Sequence, residues 1–161
     1  MKRPAALFLG GSALLLVLVL RGILDPSVER LPGIDSSHLY TWELYTRSVL
    51  ADGRLPFWNP YHFSGTPHLA DPMTTVFYPP AMLLRWLPVP AFLGWMLALH
   101  LWIAGAGTLF AARAIGAGWL AASAAGVAVM LGGSVSGWIH GGHLLLIYSA
   151  AWAPWALGLA I

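Results

Sequence analysis

The chain has no cysteine and very little charge. The first absence excludes disulfide stapling and any cysteine-ligated metal or iron–sulfur site. The second excludes more. Only 9% of the 161 residues are charged, against about a quarter in a soluble domain, and the mean hydropathy is +0.72. A soluble fold of this length needs far more polar surface. The net charge of +2 argues for no nucleic-acid partner, because with so few charges a slight Lys/Arg excess dominates. Acids are missing from most of the chain as well. Asp25, Glu29, Asp35, Glu43, Asp52 and Asp71 are all there are, and nothing acidic follows Asp71. The sequence has one polar lobe and is otherwise built for a lipid bilayer, as an all-α integral membrane protein.

What is present fits that class. After the basic start Lys2-Arg3, residues 5–24 are apolar and long enough to cross the hydrocarbon core. Arg21 stands near the far end, where its stem can snorkel to the headgroups. A cleaved signal peptide is the rival reading, but no small-x-small cleavage site follows the apolar run. Further spans are expected at residues 90–112, 118–138 and 144–161, the second of these rich in Ala, Gly and Ser. The last is still apolar at Ile161, so the chain reads as the N-terminal part of something longer. Lys2, Arg3 and Arg113 put the N-terminus in the cytoplasm and the loop at residues 25–75 outside. Residues 76–89, with Pro79-Pro80, Pro88 and Arg85-Trp86, suit a helix lying at the outer interface.

Within the loop, Ser36 and Ser37 offer N-caps for a helix running to about Ala51. Its apolar residues read as two stripes, Trp42-Tyr45-Val49 and Tyr40-Leu44-Ala51. Asp35 stands at its N-terminal edge. A stretch follows that prolines break too often for helix or central strand, yet it is full of Trp, Tyr, His, Asn and Asp. Such rigid aromatic loops make shallow polar sites.

The run Gly53-Arg54-Leu55-Pro56-Phe57-Trp58-Asn59-Pro60-Tyr61, then Ser64-Gly65-Thr66-Pro67, Ala70-Asp71-Pro72 and Phe77-Tyr78-Pro79-Pro80, resembles the YfhO-like bacterial membrane proteins. Ser136-Gly137, His143 and Ala151-Trp152-Ala153-Pro154-Trp155 also fit that family. It is similar to the GT-C superfamily of polytopic glycosyltransferases. The resemblance implies a multi-span helical bundle in the bacterial cytoplasmic (inner) membrane. It also implies transfer of a sugar from a polyprenyl-phosphate carrier to an envelope glycopolymer, glycolipid or protein acceptor. Asp35 matches the acid that such enzymes carry in the first outer loop. Many relatives have a second acid directly after it, where this chain has Ser36. A divalent metal is compatible with the resemblance, and nothing in the sequence requires one.

Such a reaction needs a base for the acceptor hydroxyl, the role Asp35 would take, and a cation for the departing phosphate. Arg85 and His143 are the cation candidates; Arg47 and Arg54 are weaker ones. Trp58, Asn59, Tyr61, His68, Asp71 and Tyr78 complete the candidate substrate-binding set. Each has a plainer reading. Asp35 serves equally as a helix cap, Trp58 and Tyr61 as interfacial anchors, and Asn59 and Asp71 as turn formers. His62 and His68 read as solvated loop residues. His140 and His143 lack a third ligand for a metal. His100, inside a span, faces other helices and is given no role. A transporter component and a non-catalytic envelope scaffold are the competing functions. The near absence of ionisable groups in the spans argues against the first.

Overall fold

A computed structural model describes residues 2–25, 27 and 33–161; Glu29 and Arg30 of the loop lie outside the described residues. The chain is mostly helical. Helix α1 (Lys2–Leu24) leads into the polar lobe, which holds α2 (Ser36–Ala51), the short strands β1 (Trp58–Asn59) and β2 (Thr66–Pro67), and α3 (Pro79–Leu84). Helix α4 (Val89–Ala114) follows, then α5 (Trp119–Leu131), α6 (Gly133–Gly141), α7 (Leu144–Ala150) and α8 (Ala153–Leu159). Among the described residues, three helical stretches are long and apolar enough to cross a membrane: Arg3–Leu24, Val89–Ala114 and Trp119–Gly141.

Helix α4 is the central post. Its apolar window is 72% buried, against 28% for α1 and 17% for Trp119–Gly141. The outer helices therefore turn residues such as Leu7, Leu14, Leu18 and Leu120 away from the protein, as lipid-facing surfaces do. Close approach of α4 and α5 depends on two glycines. A Cβ on Gly126 would stand 2.8 Å from the Gly105 carbonyl oxygen, and one on Gly105 only 2.2 Å from Met130 Sδ. Small residues let membrane helices pack this tightly.

The ends of the bundle follow from this packing. A Cβ on Gly94 would meet the Ile23 carbonyl at 2.6 Å, so the end of α1 lies beside the start of α4. The turn after α6 returns to the same end. There the Ile34 N–H donates to His140 O at 3.3 Å and the Asp35 N–H to Gly141 O at 3.0 Å. The polar lobe and the His140–His143 turn thus share one end of the molecule.

Three expectations from the sequence need correction. The face of α2 that packs inward is Ser36, Leu39, Glu43, Thr46 and Val49, which shares only Val49 with the apolar stripes. Polar residues there are matched by polar partners, which periodicity of apolar residues cannot reveal. The interfacial helix is short: only Pro79–Leu84 is helical, and Trp86 after it is highly exposed. Residues 144–161 give an apolar helical run, Leu144–Leu159, that is shorter than the three stretches above. Its hydrogen-bond ladder is interrupted between α7 and α8, where Pro154 sits in the first turn of α8, while Ala151 and Trp152 keep helical backbone angles. A proline there has no N–H to donate to the preceding turn. Helix α8 then packs on α4, with Trp155 Nε1 donating to Ile103 O at 2.9 Å and the Trp155 ring stacked on Phe110.

Candidate functional site

The sequence places Asp35 and His143 far apart; the fold brings them together. His143 Nε2 lies 3.3 Å from Asp35 Oδ2, with the two side chains 48% and 58% exposed. The backbones holding them touch. Gly33 and Gly142 both take positive φ, +93° and +82°, and a Cβ on Gly142 would stand 2.5 Å from the Asp35 nitrogen. Only glycine combines that conformation with so close an approach. Asp35 occupies the N-cap position of α2 but has helical backbone angles (φ −77°, ψ −5°), and its side chain makes no capping bond. Capping needs an extended residue that aims its oxygen at the first N–H groups. The carboxylate faces His143 instead.

The pair borders a cleft of about 520 Å³, whose wall includes His38, Leu39, Met73, Leu144 and Leu145. That is the size of a small-ligand site, and its mixture of apolar wall and a few polar groups is typical of one. Among the described residues, no three His, Asp or Glu side chains converge closely enough to hold a metal ion.

Arg85 has a different fate. Its Nε donates to Glu43 Oε1 at 2.8 Å and its Nη2 to Glu43 Oε2 at 3.3 Å. The remaining contacts go to the carbonyls of Val76 at 3.1 Å and Thr75 at 3.2 Å. All three nitrogens are engaged, and the side chain is only 11% exposed. Arg47 joins the same acid, Nε to Oε1 at 2.8 Å, and lies over the Phe92 ring. One buried carboxylate therefore ties α2 to the segment before α4. The substrate-binding expectation for Arg85 is corrected: four of its five N–H donors are taken up within the fold, and the side chain does not line the cleft. Glu43 escaped the sequence reading, although its spacing from Arg47 is the helical ion-pair spacing and could have flagged it.

The aromatic loop folds on itself. Trp58 pairs with Pro67 and Asn59 with Thr66 across two short antiparallel strands. Asn59 is buried, and its Oδ1 accepts from the Tyr61 N–H at 2.9 Å. That bond turns Nδ2 toward His68 Nδ1, 3.4 Å away, while His68 Nε2 meets Thr46 Oγ1 at 2.8 Å. His68 is buried rather than solvated, and burial holds its pKa below the usual imidazole value. Asp71 caps a 3-10 turn, Pro72–Thr74, accepting from the Met73 N–H at 2.8 Å. Asn59, His68 and Asp71 therefore hold the loop's shape and do not meet the cleft. Trp58 and Tyr61 stay exposed, the Tyr61 ring edge-on to Tyr45.

Tyr78 belongs to a second cluster. Its hydroxyl meets Nε2 of the fully buried His100 and accepts from Trp152 Nε1 at 2.8 Å. His100 Nδ1 lies 2.6 Å from the Met96 carbonyl, and the His100 ring also packs against Tyr148. Burial raises the Tyr78 pKa and the Trp152 bond opposes it, so the phenol stays protonated at neutral pH. Tyr148, which the sequence did not single out, keeps a buried hydroxyl with no hydrogen-bond partner among the described residues.

Fold and site together define a class: a mostly helical membrane protein with a polar lobe and a cleft at one end of its bundle. The chain matches no family model, no curated protein and no solved structure.

Proposed function

We propose that the chain is part of a membrane glycosyltransferase acting at the outer face of a bacterial cytoplasmic membrane, with its N-terminus in the cytoplasm. The donor is a polyprenyl-phosphate-linked sugar and the acceptor a hydroxyl of an envelope component. The observation that carries this reading is the Asp35 carboxylate, free of any capping bond and paired with His143 at the mouth of a partly apolar cleft. The acceptor oxygen forms its bond to the anomeric carbon as the bond from that carbon to phosphate breaks. The acceptor proton passes to Asp35. The departing phosphate needs a partner beside it, and His143, paired with Asp35 at the cleft, is the side chain placed to meet it. The apolar wall at Leu39, Met73, Leu144 and Leu145 suits the first isoprene units of the carrier.

The competing reading is a scaffold with the same fold and no chemistry. Ser36, in the place of a second acid, favours it, because its hydroxyl is turned back onto the Gly33 carbonyl at 2.7 Å. Asp35→Asn separates the two. It removes the proton acceptor and leaves the size of the side chain. Transfer from a polyprenyl-phosphate donor should fall by about 10²–10⁴-fold, the usual contribution of a general base. Near-normal transfer would leave the scaffold reading standing.

A further inference from the structure

Helices α1 and α4 touch at two levels, Ile23 against Gly94 and Leu9 against Trp102. Between those levels they leave a hollow of about 310 Å³. Helix α1 gives Ala13, Leu16 and Val17 to its wall, and α4 gives Trp95, Ala98 and Trp102. Every lining side chain is Ala, Val, Leu or Trp. Both ends are closed. Trp102 Nε1 donates to Leu9 O at 3.0 Å across one, and Leu84 of α3 reaches in from the lobe at the other. The long side is open, with Val17 40% and Trp95 37% exposed.

Shape and polarity restrict what can fill it. A bound water needs about two to four polar partners. The groove offers none, since the Leu9 carbonyl already accepts from Trp102. A helix is about 10 Å across and cannot enter a hollow that runs only about 10 Å along α4, from Trp95 to Trp102. A single hydrocarbon chain fits both limits. The rim also carries a charge. Arg21 follows Ala13 and Val17 at the helical spacing of four, so it stands above the groove at the lobe's end of α1, and it is exposed. Neither α1 nor α4 contains an acid. Asp25, a turn beyond Arg21, is turned to Ser27, accepting from its N–H at 2.8 Å and its hydroxyl at 2.6 Å. Arg85, next to Leu84, is neutralised by Glu43.

We propose that the groove binds one phospholipid with an anionic headgroup, drawn from the leaflet on the lobe's side of the membrane. One acyl chain lies over Ala13, Val17 and Ala98, between the indoles of Trp95 and Trp102. The phosphate meets the Arg21 guanidinium. Many small dispersion contacts hold the chain, and charge selects the headgroup. The lipid fills the seam beside α1, whose apolar window is only 28% buried by protein. The groove shares no lining residue with the cleft at Asp35, so the inference stands apart from the glycosyltransferase reading.

Native mass spectrometry tests it on the full protein, released from detergent holding equal amounts of phosphatidylglycerol and phosphatidylcholine. One retained phospholipid per chain is expected, with the anionic lipid preferred about fivefold, the usual worth of one basic side chain at an anionic surface. Arg21→Gln should keep the lipid and lose the preference. Ala13→Phe should fill the groove and release it. Ala124→Phe, on the exposed face of α5, should release nothing. Phosphatidylglycerol with a photoreactive acyl chain locates the site in the unaltered protein, so the answer does not depend on whether Ala13→Phe folds. Label should concentrate on residues 13–17 and 95–102 and be suppressed by unlabelled phosphatidylglycerol. No retained lipid, retention indifferent to Ala13→Phe, equal loss with Ala124→Phe, or a preference unchanged in Arg21→Gln overturns the proposal. So does label spread evenly over the apolar helices. Displacement of phosphatidylglycerol by an equal concentration of polyprenyl phosphate also overturns it, because the groove then belongs to the carrier.

Discussion

Helix α2 carries two acids, Asp35 at its N-terminal edge and Glu43 two turns further on, and their surroundings could hardly differ more. Glu43 is almost wholly buried and shared between two arginines, so its charge is neutralised within the protein. Asp35 is more than half exposed, has one partner that is charged only when protonated, and borders a cleft large enough for a ligand. A buried carboxylate held by three guanidinium hydrogen bonds ties elements together and is closed to a substrate. An exposed one with a single partner contributes little to stability and keeps its reactivity. On the proposed function, the two acids divide structure and chemistry between them, and each side of that division can be tested.

The largest effect is expected at the cleft. If Asp35 and His143 act as a unit, Asp35→Asn and His143→Gln should each cost transfer heavily, and the double variant should be hardly worse than Asp35→Asn alone. Groups that act together are strongly non-additive. Rates that multiply across the double variant would break the pair into independent contributions. At Glu43 the readout is stability. Glu43→Gln leaves two largely buried guanidinium groups without a counter-charge, and thermal or denaturant unfolding should show a loss of about 3–5 kcal/mol. Asp35→Ala, by contrast, should change stability by less than about 1 kcal/mol, the usual worth of an exposed ion pair. Equal losses at the two positions would erase the distinction drawn above.

Gly142→Ala probes what joins the two regions. It forces a non-glycine residue into φ +82° and a methyl group against the Asp35 backbone. A loss of about 1–3 kcal/mol is expected, with transfer impaired because Asp35 and His143 no longer meet. Unchanged transfer would show that their proximity does not matter. The smallest effect concerns pH. His68 is held neutral by burial, with its pKa below the ordinary 6.5. Its contribution is therefore complete above about pH 6.5 and is lost as the pH falls, because the unfolded chain takes up the proton first. Mild acid should loosen the aromatic loop, seen as faster amide exchange near Asn59 and Thr66. His68→Gln should remove that dependence.

Much of this was legible in the residues. The apolar runs before Arg21 and Arg113 gave two of the long apolar helices to within a few positions, because a bilayer imposes a length and a hydropathy that few other environments demand. Helix α2 ends where Asp52-Gly53 predict. Asn59 and Asp71 form the turns that their neighbouring prolines suggest. The inward face of α2 was not legible: Glu43, Thr46 and Ser36 look like a solvated face until their partners are known. Nor was the role of Arg85, whose free charge in the sequence is a neutralised one in the fold.

The sequence by itself determined the helical membrane class and where its long apolar helices lie, since these follow from local composition and from what lipid tolerates. Tertiary structure decided which charges are available. Arg85 lies far from Glu43 in the chain, His143 far from Asp35, and Trp152 and His100 far from Tyr78. Their meetings depend on how α4 packs against its neighbours and on the close backbone approach at Gly33 and Gly142. A hydrogen bond or ion pair is a statement about distance in space, and position along the chain carries almost none of that information once the separation exceeds a helical turn or two.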